Sequence, residues 1–173
     1  MRYLITGAPS SGKTTIIHEL QKLGHTVVYE AARDYIEEKQ KTDPTFGTSK
    51  DPLPAQCEIF REQLKREKEA SLPCFVEAGT TSTIIYLQVN GVEVPDGMMS
   101  NLMKYDKIFL LERNPNYVSD GVRNEYSKKI DDIEQLLEKI HKDLGYEIIK
   151  VPFISVEDRL KMILKNVRGQ EEI

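Results

Sequence analysis

Apolar residues in this chain alternate between short continuous runs and stretches with helical spacing. The opening run Arg2-Tyr3-Leu4-Ile5-Thr6 is β-prone and stops at Gly7. Small, turn-forming residues fill positions 8–12, and from Lys13 the apolar Ile16, Ile17, Leu20 and Leu23 recur on one helical face until Gly24. His25 to Glu30 predicts a second strand, Ala31 to Lys39 a helix, and Lys41 to Pro54, with Pro44, Gly47, Pro52 and Pro54, a mobile surface loop. Ala55 to Ala70 carries Ile59, Phe60 and Leu64 among many charges, the pattern of a half-exposed helix. Cys74 to Glu77 predicts a third strand that closes on a carboxylate. Ile84 to Val89 is mostly apolar and suits a buried helix or a strand, with helix favoured. Strands are predicted again at Lys107 to Glu112 and Tyr146 to Val151, separated by an amphipathic helix from Lys128 to Leu144 that Gly145 stops. Ser155-Val156-Glu157-Asp158 reads as a capping box opening a last helix that reaches about Val167.

Parallel strands need helix-length crossovers, so this alternation predicts an α/β fold: a mainly parallel sheet of about five strands with helices on both faces. The 173 residues suit one domain, 1–173, and show no internal repeat or low-complexity tract. Composition narrows the function. Lys plus Arg number 24 against 28 Asp plus Glu, a net charge of −4, the wrong sign for a protein that grips nucleic acid by neutralising phosphates. No apolar run reaches the ~18 residues of a membrane crossing, and the turn at Gly7 leaves no space for a signal peptide. Cys57 and Cys74 lack zinc or disulfide spacing and read as buried thiols, which points to the cytoplasm. His18, His25 and His141 lack metal-ligand spacing and read as packing or surface residues.

Gly7-Ala8-Pro9-Ser10-Ser11-Gly12-Lys13-Thr14 fits G-x-x-x-x-G-K-[ST], a Walker A phosphate loop, between a predicted strand and a predicted helix that continues through Thr15. Glycines let the backbone curl until successive N–H groups point inward, and the helix aims the positive end of its dipole at the same place. A nucleoside triphosphate, ATP or GTP, is the expected ligand. Lys13 can reach the β- and γ-phosphates and Thr14 can ligate Mg²⁺. Ligands of open parallel sheets gather beyond the carboxyl ends of the strands, which singles out Glu77 and Glu30. Glu77 reads as the Walker B carboxylate that holds the metal through water, or as a structural glutamate. Glu30, expected opposite that metal side, reads as the group that takes a proton from an attacking hydroxyl or orients the acceptor, or as a solvated strand-end charge.

Together with this loop, Val28-Tyr29-Glu30-Ala31-Ala32-Arg33 and Tyr117-Val118-Ser119-Asp120-Gly121-Val122-Arg123-Asn124-Glu125 resemble the NadR-like, AAA-labelled family of P-loop ATPases and kinases, related to nicotinamide riboside kinases. The resemblance extends from the first strand to Val156-Glu157-Asp158-Arg159. It implies a nucleoside-kinase-like fold with a short lid, about 114–128, whose Asp-Gly-x-Arg-x-Glu motif closes over the phosphates. Arg123 would be the lid arginine, stabilising the transferring phosphoryl group, or an exposed partner of Asp120 or Glu125. Arg33 is either an acceptor ligand or a solvated charge. Many relatives follow the third strand with Asp-Arg-Gly and an aspartate three residues beyond the glycine, where this chain has Glu77-Ala78-Gly79 and Ser82.

Two functional readings follow. One is an ATP- and Mg²⁺-dependent kinase acting on a nucleoside- or nucleotide-like small molecule, with Lys13, Thr14, Glu77 and Arg123 on the donor side and Glu30 facing the acceptor. The other is a regulatory NTPase that hydrolyses slowly and has no small-molecule acceptor. The acceptor, the purine preference and the oligomeric state depend on pocket shape, which no linear motif encodes.

Overall fold

The computed structural model describes residues 1–47, 51–114 and 124–168, without the side chains of 124–130 and 168. In chain order the elements are β1 (Arg2–Thr6), α1 (Lys13–Lys22), β2 (Thr26–Val28), α2 (Ala32–Gln40), α3 (Leu53–Glu69), β3 (Cys74–Glu77), α4 (Thr81–Val89), α5 (Asp96–Met99), β4 (Lys107–Leu111), α6 (Asn124–Asp143), β5 (Ile148–Val151) and α7 (Val156–Arg168). All strand pairs are parallel, in the order β2-β3-β1-β4-β5. The order reverses direction at β1, so the loop leaving β1 opens at the sheet's switch point, where ligands of such folds collect.

Alternate side chains of each strand enter opposite layers. Tyr3, Ile5, Phe75, Phe109 and Leu111 pack under α1 and α7 with Ile16, Ile17, Leu20 and Ile163. On the other face Leu110 joins a cluster with Phe60, Ile84, Leu87, Met98, Leu137 and Ile140 from α3 to α6. Burial on both faces accounts for the nearly continuous apolar strands. It also settles the ambiguous segment at 84–89: α4 buries Ile84, Ile85 and Leu87, so its sequence lacks a polar stripe while its backbone is helical.

Several boundaries differ from the sequence expectation. Strand β2 ends at Val28, because its pairing with β3 runs only from Thr26–Cys74 to Val28–Val76, so Glu30 lies beyond the strand. Helix α3 already starts at Leu53, and Pro54 fits its first turn because an N–H there has no helical partner to lose. The expected loop therefore stops short of Pro54, and its residues 48–50 lie outside the described residues. Helix α5 is an element the pattern did not announce. Helix α6 begins at Asn124, so positions 124–128 of the expected lid are helical. The remaining lid positions 115–123, Arg123 included, lie outside the described residues. The capping box is present: the Asp158 N–H donates to Ser155 Oγ at 3.1 Å. Both cysteines are free, Cys74 buried and Cys57 partly so. His141 is buried, its Nε2 3.1 Å from Thr81 Oγ1 and its Nδ1 2.8 Å from the Leu137 carbonyl. Among the described residues no helix is long and apolar enough to cross a membrane.

Candidate functional site

The β1–α1 loop curls tightly at the switch point. A Cβ at Gly7, whose φ is 152°, would come within 2.6 Å of both the Leu111 carbonyl and Ser11 Oγ, so only glycine lets the loop pack onto the end of β4. Ser10 holds a left-handed φ of 64°. Backbone conformations of that kind are costly for side-chain-bearing residues and cluster at ligand sites. Lys13 Nζ donates to the carbonyls of Gly7 and Ala8 at 2.8 and 3.1 Å, folding its charge over the loop. Burial pushes the Lys13 pKa down, and the neighbouring Glu30 and Glu77 oppose that shift. Ser11 Oγ is buried without a hydrogen-bond partner among the described residues. Ala8 is buried, Pro9 partly so, and Thr15 is exposed at the third position of α1.

The carboxylates meet this loop at Thr14. Thr14 Oγ1 donates to Glu77 Oε1 at 2.5 Å, and Glu77 Oε2 accepts the Glu30 N–H at 3.3 Å. Glu30 therefore stands beside Glu77 and not opposite it. Strand β3 is inserted between β2 and β1, so the residues leaving β2 and β3 are neighbours. Burial raises the Glu30 pKa, with Lys13 opposing and Glu77 reinforcing the shift. Arg33, in the first turn of α2, borders the same space and lowers the Glu30 pKa somewhat.

Two open cavities share Thr14, Glu30, Arg33 and Glu77. One, about 610 Å³, runs from Gly7 and Lys13 to Tyr86 on α4 and Leu137 on α6. The other, about 780 Å³, lies along the free edge of β2 and reaches His18 and Arg66. A slot of about 180 Å³ between α3 and α4 adjoins them at Glu30, Ser82 and Tyr86, with Ile36, Gln56 and Ile59 on its walls. Ser82 donates its hydroxyl to the Gly79 carbonyl at 2.8 Å, while Ala78 before it has a left-handed φ of 59°.

Sequence reasoning gave no role to Arg159. This side chain is buried, and it donates to Ser11 O (2.7 Å), Pro152 O (2.9 Å) and Glu112 O (2.6 Å) while its guanidinium lies 4.9 Å from the Phe153 ring centroid. It ties the loop to the ends of β4 and β5. A position in the first turn of an amphipathic helix carries no local sign of that reach.

A family model described as "AAA domain" matches residues 2–159. The chain belongs to this AAA-domain family. No curated protein matches the sequence. Among solved structures, this AAA-domain chain is similar to a deoxyadenosine kinase from M. mycoides with bound dATP: TM-score 0.65, 16% identity, covering 97% of this chain and 100% of that one. It is similar to a thymidylate kinase from Ehrlichia chaffeensis: TM-score 0.71, 13% identity, 96% and 98% covered. A NadR protein in complex with NR gives TM-score 0.69 at 14% identity, covering 99% of this chain but only 51% of that one. The AAA-domain chain thus has the P-loop fold of nucleoside and nucleotide kinases.

Proposed function

We propose that the protein is a cytoplasmic, single-domain kinase that transfers the γ-phosphoryl group of ATP or GTP to a nucleoside- or nucleotide-like small molecule, with Mg²⁺. The observation that carries this reading is the convergence of Lys13, Thr14, Glu30 and Glu77 on one cavity. The residues present suit a nucleoside triphosphate and Mg²⁺. The unpartnered Ser11 hydroxyl and the glycine-lined curl of the loop suit a polyphosphate. A hydroxyl and a carboxylate, both hard oxygen donors and few in number, suit a Mg²⁺ that keeps waters and phosphate oxygens as its other ligands. Bound there, the ion would neutralise phosphate charge.

The loop N–H groups and Lys13, once released from the Gly7 and Ala8 carbonyls, would hold the phosphates, and Thr14 and Glu77 would hold the metal. Glu30 accepts the proton of the acceptor hydroxyl, its carboxylate kept near that hydroxyl by the bond between its own N–H and Glu77. The slot walled by Ile36, Gln56, Ile59 and Tyr86 has the size and the apolar faces for a planar ring, with the Gln56 amide as a polar contact. Arg33 faces the acceptor. Arg123, brought in by residues 114–128, adds positive charge at the transferring group.

Incubation with MgATP and MgGTP and a panel of nucleosides and nucleotides, with products read by mass, tests the reading. Phosphate on a panel member is expected, and Glu30→Gln should slow that transfer by about 10²-fold with nucleotide affinity unchanged. Release of inorganic phosphate alone would leave the regulatory NTPase, which Ala78 favours by standing where many relatives carry an arginine.

A further inference from the structure

Helix α3 turns three polar side chains inward, Gln56, Gln63 and Glu67, beside Ala55, Ile59 and Phe60. Glu67 is the extreme case, with none of its surface exposed. A buried glutamate is ordinarily matched by a cation, yet no ion pair reaches this carboxylate among the described residues. Arg2 donates to the Glu67 backbone carbonyl at 3.3 Å instead, and its charge only partly offsets the effect of burial on the carboxyl. Burial accordingly drives the Glu67 pKa up and that of Tyr105 well up.

Hydrogen bonds converge on this carboxylate from two directions. Gln63 Nε2 donates to Glu67 Oε1 at 3.0 Å, and Gln63 Oε1 accepts the Ala31 N–H at 2.8 Å. The Tyr105 hydroxyl donates to Glu67 Oε2 at 3.0 Å and accepts the Thr80 N–H at 3.0 Å. Thr80 Oγ1 lies 3.2 Å from the same hydroxyl and accepts the Met103 N–H at 3.1 Å. With one hydrogen on each hydroxyl the roles are consistent: Thr80 donates to Tyr105, and Tyr105 donates to Glu67.

Ala31 directly follows Glu30, and Thr80 closes the turn Ala78-Gly79 that directly follows Glu77. The backbone segments carrying both candidate catalytic carboxylates are therefore fastened, from beneath, to a single buried side chain. The second segment is also held sterically. Gly79 has a φ of 63°, and a Cβ there would fall 2.3 Å from the Tyr105 hydroxyl and 2.8 Å from Leu4 Cδ1.

We propose that Glu67, acting through Gln63 and Tyr105, is a positioning residue that sets the placement of Glu30 relative to Glu77. Its catalytic consequence rests on the kinase reading, whereas the mechanical coupling of the two segments does not. Phosphoryl transfer is sensitive to displacements of about 1 Å, so slackening either arm of the network should cost turnover without removing any group that touches a ligand.

Tyr105→Phe removes only a hydroxyl, Gln63→Leu cuts the other arm, and Glu67→Gln keeps the shape of the hub should Tyr105→Phe fail to fold. Each is expected to lower kcat about 10-fold while KM for MgATP stays within about 3-fold, and the Tyr105→Phe/Gln63→Leu double variant should be little worse than either single change, because both arms act through one residue. Wild-type kcat per folded molecule with only a lowered melting midpoint would reduce the network to packing and overturn the proposal. Should the wild-type protein transfer phosphate to no acceptor, the kinase reading fails alone, and hydrogen exchange decides the coupling. Tyr105→Phe should then speed amide exchange at Glu30 and Ala31, on the far arm, as well as at Thr80. Unchanged protection at Glu30 and Ala31 would overturn the coupling.

Discussion

One unbroken run, Gly7 to Thr14, forms the loop half of the cleft largely from backbone, whereas the carboxylate half gathers Glu30, Arg33, Glu77 and Tyr86 from separate parts of the chain. The loop half owes its shape to glycines, to one left-handed serine and to the start of α1, features encoded within a few residues of one another. The carboxylate half owes its shape to strand order and to the network beneath it. Such a division lets one fold keep its grip on phosphates while the other side of the cleft varies, because changes in α2, α3 and α4 need not disturb the loop.

The sharpest way to break this contrast is Lys13→Ala. If the loop half binds phosphates as a unit, loss of the ammonium should weaken MgATP and MgGTP by about 10³-fold, the scale of two charge-assisted hydrogen bonds at about 2 kcal/mol each. The fold should survive, since among the described residues Lys13 Nζ bonds only to the carbonyls of its own loop. Titration calorimetry on the folded variant measures it, and unchanged affinity would remove the loop from nucleotide binding.

Legibility followed the same division. The Walker A loop, the strands and the capping box at Ser155 could be read because each signal is local. What stayed hidden depends on long-range arrangement. Glu30 was expected opposite Glu77, because chain order does not reveal that β3 enters the sheet between β2 and β1. Glu67 sits in a charge-rich helix where nothing local singles it out, yet it turns onto Tyr105, which lies 38 positions away in the sequence. The run at 84–89 gave no helical stripe because α4 buries Ile84, Ile85 and Leu87 while its exposed positions include the aromatic Tyr86, and α5 is too short for any period to register. Of the residues singled out from the sequence, Gly7, Pro9, Ser10, Lys13, Thr14, Glu30 and Glu77 line one cavity, whereas Arg123 falls outside the described residues.

Arg159 tests how self-sufficient the loop half is. Arg159→Met keeps an unbranched apolar chain at this position but removes the guanidinium over Phe153 and strips three donors from the Ser11, Pro152 and Glu112 carbonyls. With about 1 kcal/mol lost for each, stability should fall by about 3 kcal/mol, and nucleotide affinity by about 10-fold as the loop loosens. Denaturant unfolding and titration give the two numbers. A stability loss with unchanged affinity would mean that the loop holds its phosphate-binding shape unaided, which would strengthen the contrast between the two halves.

The smallest effect probes the carboxylate half through pH. Burial, reinforced by Glu77 and opposed by Lys13, places the Glu30 pKa above the usual glutamate value of about 4.3. A proton acceptor works only when ionised, so kcat should rise with pH through this elevated value, and its acidic limb should lie above the ordinary carboxylate range. The stability linkage has the opposite sense. A raised folded-state pKa means that the folded protein favours protonated Glu30. The stability this contributes is fully present below the unfolded-state value and is lost as pH rises through the folded-state one. Glu30→Gln, which cannot titrate, should therefore flatten both the acidic limb of kcat and the matching step in stability against pH. If the limb instead lies at the ordinary glutamate value and persists in Glu30→Gln, the titrating group is elsewhere, and the acceptor proton does not go to Glu30. If the stability step disappears but the kinetic limb remains, Glu30 is a half-buried acid of the cleft wall without a part in proton transfer.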